Sequence, residues 1–169
     1  MNSLSEKFVF KIPIGNLKVV EKAGKISQIT FTQDEEDEKD EKAILSETLR
    51  KAVGQLREYF QGKRKAFDFE MKIDGSDFER KVFDATKNVP FASVKTYSEI
   101  AEIIGRPKAY RAVANALGKN KLVIAVPCHR VIAKNGVGGF SSGLWRKKWL
   151  LKHEKDVNQQ KRQKEEEVK

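Results

Sequence analysis

The chain holds a single cysteine, Cys128, among 169 residues, which excludes an internal disulfide and any zinc site that draws on several thiols. Its histidines are His129 and His153 alone. A thiol-protease arrangement, which needs a histidine distant in sequence, would have to use His153 at the charged end of a helix pattern. No apolar run approaches the length that crosses a bilayer, and Met1 to Lys11 lacks the apolar core of a secretory signal. The expected setting is intracellular. The glycines of Asn135–Gly143 match neither the dinucleotide nor the phosphate-loop spacing.

A hydrophobic content of 39% in this length supports one sizeable core or two small ones, without covalent staples. The net charge is +10, yet Asp34 to Glu41 contains seven acids and one lysine. That run carries about −6, so the remainder carries about +16. A surplus of this size suits a polyanionic partner, most simply nucleic acid. It is equally compatible with a soluble protein rich in Lys and Glu.

Three runs rich in β-branched and aromatic residues, Phe8–Ile14, Leu17–Glu21 and Ile26–Thr32, are separated by Gly15-Asn16 and Gly24-Lys25, which predicts a three-stranded meander. The acidic run follows as a solvated loop. Ile44, Leu45, Leu49, Val53, Leu56 and Phe60 then recur at helical spacing until Gly62. A last strand is expected at Ala66–Met71. From Ser76 the pattern turns helical, beginning with Ser76 and Glu79 in the capping-box relation, so a boundary is expected near Asp74-Gly75.

Thr96 and Glu99 form a second capping pattern, Gly105 permits the positive φ that ends a helix, and Pro107 permits a new helix through Leu117. Two short helices around a glycine turn read as a helix-turn-helix. In the second, Ala109, Ala112, Ala114 and Ala116 are small, which allows close approach either of another helix or of a nucleic-acid groove. Arg111 is placed to reach into a duplex, and Arg106 and Lys108 to meet phosphates. After the glycine loop a helix is expected over Leu144–Lys152, then a charged, unpatterned, flexible tail from Lys155 to Lys169.

The chemistry concentrates in Val126-Pro127-Cys128-His129-Arg130-Val131. Without context, a lone cysteine beside an apolar stretch is more often a small buried hydrophobe. An adjacent imidazole, however, can take the thiol proton and leave the nucleophilic thiolate. Side chains of successive residues diverge, so the proton is expected to pass through a water. A carboxylate should orient the imidazole, and Glu154 is a candidate that sequence distance does not select over other acids.

The Pro-Cys-His-Arg-Val run resembles the active-site signature of the O6-alkylguanine-DNA alkyltransferases, also called methylated-DNA-protein-cysteine methyltransferases. Tyr97, the Gly105–Lys108 turn, Arg111-Ala112-Val113, Asn120, the glycine loop and Trp149–Glu154 fall in that family's order. The resemblance covers residues 76–154 closely and the N-terminal part in outline. It implies an α+β chain of two domains. Residues 1–74 would form a small antiparallel sheet with a helix, ribonuclease H-like in the family. Residues 75–154 would form a mostly helical domain with a winged helix-turn-helix, followed by the tail 155–169.

The implied function is DNA repair by direct reversal. The protein would bind double-stranded DNA as a monomer in the minor groove, flip the damaged nucleotide and move its alkyl group irreversibly onto Cys128, once per molecule. O6-alkylguanine would be the substrate, with O4-alkylthymine and cooperative binding on DNA left open. No cofactor, metal or membrane enters. By resemblance Cys128 is the acceptor, His129 the base acting through water, Glu154 its orienting group and Asn120 the brace of the cysteine turn. Tyr97, Val131, Phe140, Ser141 and Ser142 would form the base pocket. Arg111 would fill the emptied stack, with Arg106, Lys108, Ala109, Ala112 and Ala116 at the DNA surface.

The chain departs from the family pattern at Phe140, where tyrosine is common, and at Ser142, where glycine is frequent and where a side chain is expected to narrow the pocket. The alternatives are a non-catalytic alkylated-DNA recognition protein and a helix-turn-helix regulator. The presence of Cys128 argues against the first, and the absence of long polar base-reading side chains argues against the second.

Overall fold

A computed structural model describes residues 5–168; the parts of the N-terminal and tail readings that fall on residues 1–4 and 169 lie outside it. The chain divides into two compact units, one of residues 1–76 with 120–126, the other of 77–119 with 127–169.

In the first unit β1 (Ser5–Ile12), β2 (Gly15–Lys22) and β3 (Lys25–Thr32) form an antiparallel meander in chain order. Phe8, Phe10, Leu17, Val19, Ile26 and Ile29 are buried. Helix α1 (Glu47–Phe60) supplies Leu49, Ala52, Val53, Leu56 and Tyr59 to the same core, an i, i+3, i+4 stripe. It starts where Ser46 accepts the Leu49 N–H at 3.2 Å, satisfying a donor that the first turn leaves unpaired.

The acidic run is not simply a solvated loop. Asp37 accepts the Val9 N–H at 2.7 Å and donates its own N–H to the Val9 carbonyl at 2.8 Å. Since β1 lies at the sheet edge, these bonds occupy backbone groups that would otherwise be open to pairing with another chain.

The strand expected at Ala66–Met71 does not form. The segment touches the sheet at one point, where Ile26 donates to the Glu70 carbonyl and accepts from Lys72, each at 2.9 Å. The same edge strand, β3, is also met by a segment far along the chain. Ile29 donates to the Lys121 carbonyl at 2.8 Å and accepts from Val123 at 3.0 Å. Leu122, Val123 and Val126 are buried, which explains why residues 120–126 belong to this unit.

In the second unit α2 (Asp77–Lys87), α3 (Tyr97–Ile103) and α4 (Tyr110–Leu117) form the helical cluster. Both bonds of the Thr96–Glu99 capping box are present, at 3.0 and 3.1 Å, and Gly105 has φ +78° in the turn before α4. A parallel pair, β4 (Lys95–Thr96) with β5 (Val131–Ile132), holds the start of α3 beside the residues that follow Cys128. Helix α5 runs over Leu144–Glu167, so the segment expected as an unpatterned tail is helical through Glu167. No helix among the described residues is long and apolar enough to cross a membrane.

Candidate active site

Pro127 leads into a short 3-10 turn, Cys128–Arg130, that buries three polar or reactive side chains in succession. Cys128 is 7% exposed and lines a cavity of about 430 Å3 with Tyr97, Asn115, Gly139, Phe140 and Ser141. That volume suits a small-molecule or nucleobase guest.

The side chain of His129 turns away into the protein and is wholly buried. Its Nε2 lies 2.6 Å from Glu154 Oε2. The same carboxylate accepts from Arg130 Nε at 2.8 Å, from Arg130 Nη2 at 3.1 Å and from the Ala92 N–H at 3.1 Å. Arg130 also donates to the Val89 carbonyl at 2.8 Å and places its guanidinium over the Phe91 ring.

Desolvation by itself would raise the Glu154 carboxyl. The hydrogen bonds and charges of His129 and Arg130 outweigh it and hold the group well below the usual carboxylate range. An ionised carboxylate only accepts, so Nε2 carries the proton in neutral His129 and Nδ1 presents a lone pair. Nδ1 has no hydrogen-bond partner among the described residues. Burial pushes the imidazole below its ordinary value despite Glu154. Arg130 already matches the carboxylate charge, so a second cation gains little there.

Lys147 was not singled out by sequence. It is fully buried, and its Nζ donates to the Val131 carbonyl at 2.6 Å, the Gly139 carbonyl at 3.0 Å and the Tyr97 hydroxyl at 3.5 Å. Burial pulls its ammonium down to about 8, against the opposing influence of Cys128. The Tyr97 oxygen also accepts the Gly139 N–H at 3.2 Å, which leaves the hydroxyl hydrogen available to a guest in the cavity. Burial raises the Tyr97 phenol, so it stays protonated at neutral pH. The inner stripe of α5 is Lys147, Leu150 and Glu154. Charged residues at i and i+7 on an apolar face are the signal that could have revealed Lys147 together with Glu154.

Gly138 has φ +77°, and a Cβ there would stand 2.9 Å from Tyr97 Cε2. Gly138→Ala is therefore expected to cost about 1–3 kcal/mol of stability through the strained backbone and the displaced ring. Denaturant titration of both proteins measures this. A variant as stable as the parent would show that Tyr97 has room to move.

Other residues expected at the site distribute unevenly. Phe140 and Ser141 line the cavity, whereas Ser142 and Val131 are not in its lining. The Ser142 carbonyl accepts from Arg146 Nη1 at 2.7 Å. Val131 is buried, with its N–H on the Cys128 carbonyl and its own carbonyl on Lys147, so internal bonds already engage both main-chain groups.

On α4, Arg111 and Ala112 are exposed, and Ala109 is half-buried before the first turn. Ala116 is 3% exposed and packs inward with Val113 and Leu117, a correction to its placement on the DNA face that follows from helical periodicity. Arg106 and Lys108 are exposed in the turn. Asn120 lies in the first unit, where its side chain donates to the Val126 carbonyl at 2.8 Å and accepts the Leu122 N–H at 2.9 Å. These bonds bracket Ile124, a β-branched residue at φ +74°.

A buried imidazole and carboxylate behind a thiol, a cavity in front of it and two short helices around a glycine turn thus stand together in the second unit. The chain matches the 6-O-methylguanine DNA methyltransferase ribonuclease-like domain over residues 7–73 and the DNA binding domain of the same family over 77–156. It is 38% identical over 149 residues to a methylated-DNA-protein-cysteine methyltransferase of Methanosarcina acetivorans, covering 86% of this chain and 96% of the relative.

The crystal structure of Mycobacterium tuberculosis O6-methylguanine methyltransferase is similar with a TM-score of 0.79 at 32% identity, over 91% of this chain and 94% of that one. The Mycobacterium tuberculosis protein in complex with DNA gives a TM-score of 0.78 at 35% identity, over 88% and 92%. The chain belongs to the 6-O-methylguanine DNA methyltransferase family.

Proposed function

We propose that this protein repairs DNA by drawing the alkyl group of O6-alkylguanine onto Cys128, once per molecule. The observation that carries the reading is Cys128 at the wall of the cavity, followed in sequence by an imidazole whose one ring nitrogen is held by Glu154 and whose other is an acceptor. The thiol proton passes through a water to His129 Nδ1. The thiolate attacks the alkyl carbon, an S–C bond forms as the C–O6 bond breaks, and guanine departs with the bonding pair. Tyr97 donates a hydrogen bond to the departing base, which offsets the charge developing there. Lys147 positions the Tyr97 oxygen and ties down the Gly139 carbonyl.

A base within a duplex hides its O6 atom, so the nucleotide is flipped into the cavity. The small exposed surface around Ala109 and Ala112 approaches the minor groove, Arg111 fills the vacated stack, and Arg106 and Lys108 meet phosphates. Asn120 braces the turn that leads into Pro127 and Cys128. The protein acts as a monomer on duplex DNA, in the cytoplasm or, for a eukaryotic source, in the nucleus.

Incubation with a duplex carrying one O6-methylguanine, followed by intact and peptide-level mass measurement, tests the reading. One added methyl on Cys128, equimolar with restored guanine, is expected. A duplex that is bound while Cys128 stays unmodified would leave only a damage-recognition protein. Electrostatics supplies a second test. Lys108→Ala is expected to weaken binding to all duplexes alike and to reduce the slope of log K against log salt by about 0.9. An unchanged slope in fluorescence-anisotropy titrations would remove Lys108 from the phosphate contacts.

A further inference from the structure

Glu154 also lines a second cavity of the same unit, of about 540 Å3, which shares no lining residue with the one holding Cys128. Val94, Ile132, Val137 and Leu151 make its apolar wall, and Lys134 and Lys155 line it as well. The volume falls in the range of small-molecule sites. Val94 is 48% exposed, so a guest with an apolar body removes surface from water that the protein itself leaves wet.

The charge of the lining selects the guest. Glu154 contributes little negative field outward, because Arg130 lies on both its oxygens and His129 and the Ala92 N–H occupy them too. Lys134 and Lys155 are exposed, and neither takes part in the ion pairs found among the described residues. The polar side of the cavity is therefore cationic. We infer that this cavity binds an amphipathic organic anion, an aliphatic or aromatic body bearing a carboxylate or sulfonate. The assignment is independent of the alkyl-transfer reading, since the site excludes Cys128 and binding is read without DNA.

The test is titration of the full chain with 8-anilinonaphthalene-1-sulfonate, followed by its fluorescence. Saturation at one molecule per chain is expected, with displacement by decanoate and none by decyltrimethylammonium. Val94→Asp places a like charge in the wall and is expected to weaken binding by about tenfold or more. The Lys134→Ala/Lys155→Ala double variant is expected to weaken it by about fivefold and to flatten its salt dependence. All three positions are exposed to solvent, and circular dichroism checks that the variants fold. Prior alkylation of Cys128 with iodoacetamide should leave the titration unchanged. Signal that does not saturate, equal displacement by the cationic detergent, loss of binding on Cys128 alkylation, or affinity in both variants within twofold of the parent would each overturn the assignment.

Discussion

Cys128→Ser is expected to lower alkyl transfer by about a thousandfold or more while affinity for an undamaged duplex stays within about threefold. A hydroxyl has nearly the volume of the thiol, so the cavity and the short turn around it should persist. Its proton is far harder to remove, and neutral His129, with an imidazole already held below its ordinary value, cannot deliver an alkoxide. The comparison is a single-turnover assay with a radiolabelled O6-methylguanine duplex, alongside anisotropy binding. Methylated protein accumulating at the parental rate would mean that another residue accepts the group. Loss of binding together with transfer would mean that the substitution had disturbed the fold rather than the nucleophile.

Glu154→Ala should be the most damaging single change to both stability and transfer. It leaves Arg130 buried without its anion and releases His129, and breaking a buried pair in this way costs about 3–5 kcal/mol. The double variant Arg130→Met/Glu154→Leu separates the two effects. Stability is expected to recover substantially, since a packed apolar pair replaces the ions, whereas transfer stays about a hundredfold or more below the parent because nothing sets the imidazole tautomer. Recovery of both would reduce Glu154 to a folding element.

The same cluster gives stability a pH dependence with a definite sign. The folded Glu154 carboxyl is held below its unfolded value, so its contribution is full above the unfolded value of about 4.3 and is lost as pH falls toward the folded one. The folded His129 imidazole is also held down. Below the unfolded value of about 6.5 the unfolded chain gains a proton that the native state does not, which again removes stability. Urea midpoints of the parent should fall on acidification from about pH 6.5 downward, and the double variant should lack the lower part of the decline. A flat profile in the parent would mean that the cluster takes up protons without cost.

Much of the fold was legible because the signals are local. The alternation in Phe8–Ile14 and Ile26–Thr32 and the stripe Leu49, Val53, Leu56 depend only on neighbours within a turn or a pleat. The Thr96–Glu99 capping box involves residues three apart, and both its bonds form. The strand expected at Ala66–Met71 had suitable composition, but the sheet meets it at one residue only. The return of Lys121–Val123 to β3 could not be read at all, since no short-range pattern links Ile29 to Leu122. The second half of α5 escaped for another reason. Leu150 is the last buried apolar residue of α5 and Glu154 its last buried residue, so the amphipathic spacing ends there, yet Gln, Lys, Arg and Glu are good helix formers in water. The Lys152–Asp156 pair at 2.6 Å sits across the point where that spacing stops.

The sequence by itself determined the lone thiol, the imidazole beside it, the helix-turn-helix and the surplus of positive charge. Each of these is a property of residue identity or of spacing within a few residues. Only the tertiary structure decided that Glu154 holds both His129 and Arg130, that Lys147 reaches Tyr97, and that Ser142 stays out of the cavity lining. Those outcomes depend on which of many chemically equivalent acids, lysines and small residues the packing brings within hydrogen-bond range or excludes from water. Distances of this kind are set by contacts between residues 24 to 50 positions apart, and no local pattern encodes them.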